Sequence, residues 1–426
     1  MASVISKYSL NDSRVYSTTA CVPDKAYFDR VETLVERHRS LFGSDKELRF
    51  FSSPGRIEIC GNHTDHQNGK VLCGAVNLDT LAVGQKSDDD KILLSSDGYP
   101  LIKVDLNDLG LKAPEYGTST ALVKGVCKYF VDNGKKVGGF RATATSNVFK
   151  GAGISSSASF ELLIATILNC LFNGGEIDNI FTSSAAHYAE SVYFGKPCGM
   201  LDQCAIAFGG ICYIDFATGE PVATSLNVSL PLSVVLVNTE GDHSALTDQY
   251  AKIRTEMNAV ANYFGKKVLR EVDEKEFTAK MPYLRKSVNG RAILRSIHFF
   301  NEEKRVDDAK RSVETNDFDA FCQIVNQSGE SSLAYLQNCY PAGDETQAIP
   351  SAVAVLKDID GVKAARVHGG GFAGTVIAFV ETNKLDSIQS ILNDVFGKEN
   401  YYVVNVRPTG ACEITKEISE DEKRFM

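Results

Sequence analysis

The stretch GFRATATSNVFKGAGISSSASFELLIATILNCLF, residues 139–172, constrains the fold of this chain more than any other. Its first part alternates, with Phe140, Ala142 and Ala144 on one face, which predicts a strand. From Ala158 onward apolar residues cover much of a helical circumference, which predicts a buried helix. Between the two lies the glycine-rich turn GAGISSSAS, residues 151–159.

The turn has its own chemistry. The first N–H groups of a helix have no partner within the helix, and the helix dipole favours an anion there. Ser155, Ser156 and Ser157 add short hydroxyls that suit phosphate oxygens or Mg²⁺. Two readings are open: a cap of small residues, or a phosphate site. It is not a Walker A loop, because no GK[ST] follows the glycines.

A second stretch, GRIEICGNHTDHQNGKVL at 55–72, runs from a strand-like segment into seven polar residues, Asn62 to Asn68. His63, Asp65 and His66 lie close enough together to suggest a metal, but the crowded spacing and the lack of a partner cluster speak against zinc. The run suits a ligand with many hydroxyls better, since each hydroxyl donates and accepts.

HGGGFAG at 368–374 satisfies G-x-G-x-x-G, yet the following TVIAFV is β-branched, so the pattern predicts a loop joining two strands and no dinucleotide fold. In GKPCGMLDQ, 195–203, Asp202 falls in the first turn of a predicted helix, where the dipole keeps a carboxylate ionised.

The remaining pattern is mixed. A helix is predicted over 30–43, strands over Glu47 to Phe51, Arg56 to Cys60 and Lys70 to Val83, and a single helix over 183–195. Segment 217–229, poor in large apolar residues, is the candidate boundary between two domains, 1–225 and 226–426. Helical periodicity dominates 245–340, KAARV and TVIAFVE read as strands, and YYVVNVRPTGACEI as one further strand.

With 45 Lys+Arg against 54 Asp+Glu, the net charge is −9 and no basic block occurs, which argues against nucleic-acid or anionic-membrane partners. The segment MASVISKYSLNDSRVYSTTA lacks a signal-peptide pattern, and no apolar run is long enough to span a membrane. Eleven cysteines without a CxxC pair suit reduced thiols. The expectation is a cytoplasmic protein with small-molecule partners and no obligate protein partner.

In order along the chain, GRIEICGNHTDH, GAGISSSAS and HGGGFAG resemble the three signatures of the GHMP kinases, and of the galactokinase family within them. PCGMLDQ, NTEGDHSALTDQYAKIR and RSIHFFNEEKRVDDA resemble the family's intervening segments, so the resemblance spans about residue 30 to the end. It implies an α+β, two-lobed GHMP kinase fold with mixed and antiparallel sheets and the active site between the lobes. It also implies ATP-dependent phosphorylation of the anomeric hydroxyl of galactose, with Mg²⁺.

By matching position, the resemblance makes Arg56 and Asp202 the catalytic pair. Asn62, His63, Asp65, Cys198, Gly199 and Tyr250 become sugar contacts. Gly151, Ala152, Gly153, Ser155, Ser156, Ser157, Gly370 and Gly371 fall at ATP, and Ser157 with Glu190 at the metal. The chain departs from the family pattern at Asn62 (usually glutamate), His66 (usually tyrosine), Phe149 (usually proline) and His368 (usually threonine). These departures bear on the sugar more than on the chemistry. A galacturonokinase, in which Asn62 would not repel a C6 carboxylate, and a galactose sensor are the readings left open beside it.

Overall fold

The computed structural model describes residues 25–418, apart from 44–45, 149–152, 197, 219, 227, 229, 241–245 and 417. Twelve strands among the described residues form two sheets: β1 Arg49–Cys60, β2 Lys70–Lys86, β3 Lys91–Ser96, β4 Ile102–Asp105, β5 Phe140–Ser146, β6 Ile211–Asp215, β7 Val222–Leu226, β8 Leu232–Asn238, β9 Val362–Val367, β10 Thr375–Glu381, β11 Tyr401–Val404 and β12 Cys412–Glu413. The larger sheet runs β12-β1-β2-β5-β3-β4, with β6 also on β2 and β7 on β6. The smaller runs β11-β8-β10-β9 and is antiparallel throughout. Among the described residues only β3 and β5 pair in parallel.

Alternation decides what covers the larger sheet. On β1, Phe51 joins Phe140, Ala142 and Ala144 of β5 in a core shared with helices Ser119–Asp132 and Ser156–Phe172. Its neighbour Phe50 points to the opposite face and packs on Val31, Leu34 and Val35 of helix Lys25–Phe42. Another core holds Ile57 and Ile59 of β1 together with Leu236 of β8, Phe321, and Phe379 of β10, so the two sheets share apolar packing. This is the expected α+β class.

Three expectations need correction. The strands predicted over 47–51 and 56–60 are one strand: Ser52 to Pro54 stay in the ladder, and a register shift between Pro54 and Arg56 takes up Gly55 as a bulge. The helix predicted over 183–195 is α-helical only in Asn179–Tyr188 and continues as a π-helix, Ala189–Phe194. The last predicted strand divides: β11 stays in the smaller sheet, while Pro408 and Gly410 lead the chain to β12 beside β1, where Phe51 faces Glu413. The candidate boundary 217–229 contains β7.

Candidate active site

The bulge in β1 brings Arg56 alongside the glycine turn. Its backbone N–H donates to Ile154 O at 3.1 Å, and its guanidinium donates from Nη1 to Gly153 O at 2.5 Å. Gly153 has φ +70°, and a Cβ there would lie 2.6 Å from Thr375 Oγ1 of β10, so only glycine fits this approach between loop and sheet. Gly151 and Ala152 lie outside the described residues. Ser155 precedes helix Ser156–Phe172 with φ 61° and makes no capping bond; its hydroxyl donates instead to Asp202 Oδ2 at 2.5 Å. The cap reading therefore falls away for this serine.

Asp202 stands in the first turn of helix Leu201–Phe208, as predicted, and its Oδ1 accepts from Arg56 Nε at 2.7 Å. Burial pushes the carboxyl up, but Arg56, Ser155 and the Lys196 charge outweigh it and hold Asp202 below its ordinary range. It is an ionised carboxylate with both oxygens aimed by named donors.

Next to this pair stands Glu190, buried on the first turn of the π-helix. Ser157 Oγ donates to its Oε1 at 3.0 Å and Lys196 Nζ to the same oxygen at 2.7 Å, while Gln203 Nε2 donates to Oε2 at 2.8 Å and Cys198 Sγ lies 3.5 Å from it. Gln203 also reaches Glu161, whose carboxyl is raised well above the ordinary range by burial and then by the Glu190 charge. Sequence reasoning missed Lys196, Gln203 and Glu161. Lys196 and Gln203 adjoin the motif at Asp202, and that adjacency was the only signal available.

The polar run closes the other end. His63 Nε2 lies 2.9 Å from Gly370 O and its Nδ1 3.3 Å from His66 Nε2. Tyr250 donates from its hydroxyl to Gly371 O at 2.8 Å, and its ring meets Phe372 edge-on. Gly370 is pressed against that ring: a Cβ would come within 2.6 Å of it. Asp65 reaches towards Gly199, where a Cβ would lie 1.6 Å from Oδ2. Its Oδ1 accepts the His66 N–H at 2.8 Å, and burial raises its carboxyl despite that bond. Cys198 O lies 3.2 Å from His187 Nε2.

Two groups of site expectations change. Asn62 was expected at the sugar, but its side chain is fully buried: Nδ2 donates to Glu58 Oε1 and Gly369 O at 2.8 and 2.7 Å, while Oδ1 accepts from Asn338 and Ser332 at 2.7 and 3.2 Å. The reason is the backbone, because Gly61 at φ +101° and His63 at φ 60° turn Asn62 inward. Gly370 and Gly371, expected at ATP, lie against His63 and Tyr250; it is Gly369 that borders Gly153, its Cβ position being 4.0 Å from Gly153 O. Glu58, two residues beyond Arg56 and on the same strand face, went unnoticed although the alternation of RIEIC marks it. It binds Arg366 at 3.1 Å, and burial, opposed by Arg366 and Arg56, raises it to about 7.

Comparison with known proteins places the chain in a family. Residues 36–86 match the model of the galactokinase galactose-binding signature, and residues 121–210 that of the GHMP kinases N terminal domain. The solved Lactococcus lactis galactokinase complexed with galactose superposes with a TM-score of 0.79 at 23% identity, over 90% of this chain and 99% of that one. A mevalonate kinase superposes at 0.60 with 13% identity, over 84% and 98%. The fold is that of the GHMP small-molecule kinases.

Curated galactokinases narrow this further. That of Clostridium tetani is 31% identical over 82% of this chain and 88% of its own length, and that of Streptococcus suis 30% identical over 89% and 95%. The chain belongs to the galactokinase family.

Proposed function

We propose that this protein transfers the γ-phosphoryl group of ATP to the C1 hydroxyl of galactose, giving galactose 1-phosphate and ADP. The observation that carries the reading is Asp202, ionised, held by Arg56 and Ser155, and standing between the serine-rich turn and the polar run. The names of the curated relatives and of the Lactococcus structure support galactose as the sugar.

Phosphoryl transfer asks a protein mainly for positioning and charge. Asp202 orients the C1 hydroxyl and accepts its proton as the oxygen attacks phosphorus. Arg56, tied to both Asp202 and Gly153 O, holds its positive charge where charge develops on the transferred oxygens. Asp65, Gly199, His63, Cys198 and Tyr250 form the sugar end, and Gly153, Ser155, Ser156 and Ser157 with the undescribed Gly151 and Ala152 form the phosphate end.

Magnesium fits the residues present. Ser157 Oγ and Glu190 Oε1, adjacent at 3.0 Å, are hard oxygens of the kind Mg²⁺ takes, with phosphate oxygens and water completing its shell. Bound there, the ion would neutralise phosphate charge and share Glu190 Oε1 with Lys196 Nζ, which lies 2.7 Å from that oxygen.

In this reading residues 1–225 carry the phosphate turn and catalytic pair, and 226–426 carry Tyr250 and the third glycine loop. A cytoplasmic setting accords with ten described cysteines that are all free thiols, and no described helix is long and apolar enough to cross a membrane. The argument for a uronate drawn from Asn62 loses its footing, since that side chain is spent inside the protein.

A coupled assay of ADP release over a panel of hexoses tests the reading. Galactose should be the best substrate. Turnover of galacturonate without galactose, or binding of sugar and ATP with no ADP released from any hexose, would overturn it.

A further inference from the structure

A chain of hydrogen bonds crosses the sugar end, and backbone groups fix its direction from both ends. At one end Gly370 O can only accept, so His63 Nε2, 2.9 Å away, carries the proton. In a neutral ring His63 Nδ1 is then an acceptor, and its partner at 3.3 Å, His66 Nε2, must donate. At the other end the Leu269 N–H donates to Gln67 Oε1 at 3.0 Å, which sets the amide. Gln67 Nε2 therefore donates, to Asn258 Oδ1 at 2.7 Å and towards His66 Nδ1 at 3.4 Å. The two assignments meet at His66 without conflict: Nδ1 accepts and Nε2 donates.

Both rings are neutral, because burial is the largest influence on each and depresses both, and the nearby charges of Arg295, Arg254 and Arg366 act in the same direction. Were His63 to carry its proton on Nδ1, two N–H groups would face each other towards His66 and two lone pairs would face each other at Gly370 O. The tie to the third glycine loop would then repel.

We infer that His66 is a positioning residue for the sugar. By donating from Nε2 it holds His63 in the tautomer that fixes the Gly370 carbonyl, and with it the loop that Tyr250 packs against. The position is one where the chain departs from the family's tyrosine, and the departure extends a hydrogen-bonded path from helix Thr247–Tyr263, through Asn258, to the glycine loop. This rests on the reading of the site as a galactose site.

Two variants and one spectrum test it. His66→Gln keeps an N–H near the place of Nε2 and should leave the galactose KM within about twofold of the parent. His66→Leu removes the donor and should raise that KM about tenfold or more, with the ATP KM and kcat within about threefold. In the unliganded parent, ¹⁵N-histidine NMR should find His63 protonated on Nε2, a state retained in His66→Gln and lost in His66→Leu. An unchanged galactose KM in His66→Leu, equal damage in both variants, or a proton on His63 Nδ1 in the parent would overturn the inference. If the parent turns over no galactose, the functional reading fails, and the spectrum still decides the role of His66.

Discussion

The two ends of the active site are built from different materials. At the phosphate end Arg56, Asp202, Lys196 and Glu190 make close ion pairs, at 2.7 Å for both Arg56–Asp202 and Lys196–Glu190. At the sugar end the joining groups are His63, His66, Gln67, Tyr250 and peptide carbonyls, linked by uncharged hydrogen bonds. The difference follows from the ligands. A phosphoryl group carries charge that must be met and moved, whereas a hexose presents hydroxyls that are sorted by the direction of donors and acceptors.

The largest test of that contrast is Asp202→Ala. It should lower kcat by about 10³-fold or more while the KM values for galactose and ATP stay within about threefold. Near-normal turnover would reduce Asp202 to a helix-start residue. Arg56→Lys comes next. A lysine keeps the charge but cannot reach Asp202 and Gly153 O together, so ADP release should slow by about 10²-fold.

At the buried junction with Glu58, Asn62→Asp replaces the Nδ2 donor with an oxygen facing Glu58 and Gly369 O. Urea unfolding should show a loss of about 2–4 kcal/mol, and unchanged stability would mean that the junction tolerates charge. His63→Ala should raise the galactose KM about tenfold and leave kcat within about threefold; a fall in kcat alone would place His63 at the chemistry.

The smallest effect is that of acid. Burial holds His63 near about 4 against 6.5 in the unfolded chain, so between those values the unfolded state binds the extra proton. Stability is complete above the unfolded value and declines as pH falls towards the folded one. Going from about pH 7 to about pH 5.5 should cost on the order of 1 kcal/mol, measured by unfolding against pH. The loss should shrink by about that amount in His63→Ala and not vanish, because burial depresses His38, His66, His298 and His368 too.

The phosphate end was the more legible of the two in the sequence. A strand, a glycine turn and a buried helix are local, and Asp202 sits where the helix start suggests. What local pattern does not carry is side-chain direction after a left-handed residue. Asn62 sits between two such residues, Gly61 and His63, so its place in a polar run gave no sign that it faces inward. The unbroken β1 was hidden for a related reason: SSPG spells a turn, and pairing with β2 through Leu81, Thr80 and Asp79, and with Cys412 of β12, keeps it in the sheet. Arg366, Asn338 and Ser332, more than 250 residues from Asn62 and Glu58 in the chain, could be assigned to them only by the fold.

The pairing of β12 with β1 has a consequence for biosynthesis. Phe51 waits for Glu413, and Ser52 for Cys412, so the edge of the larger sheet stays open until residues 412 and 413, some 360 positions further on, have left the ribosome. Arg49 then gains its ion pair with Glu413, and buried Arg407 its bonds to Ser52 and to Gly410 O. Contacts of such sequence separation form late and slowly. A nascent chain stalled before residue 412 would expose the β1 edge as a strand-pairing template.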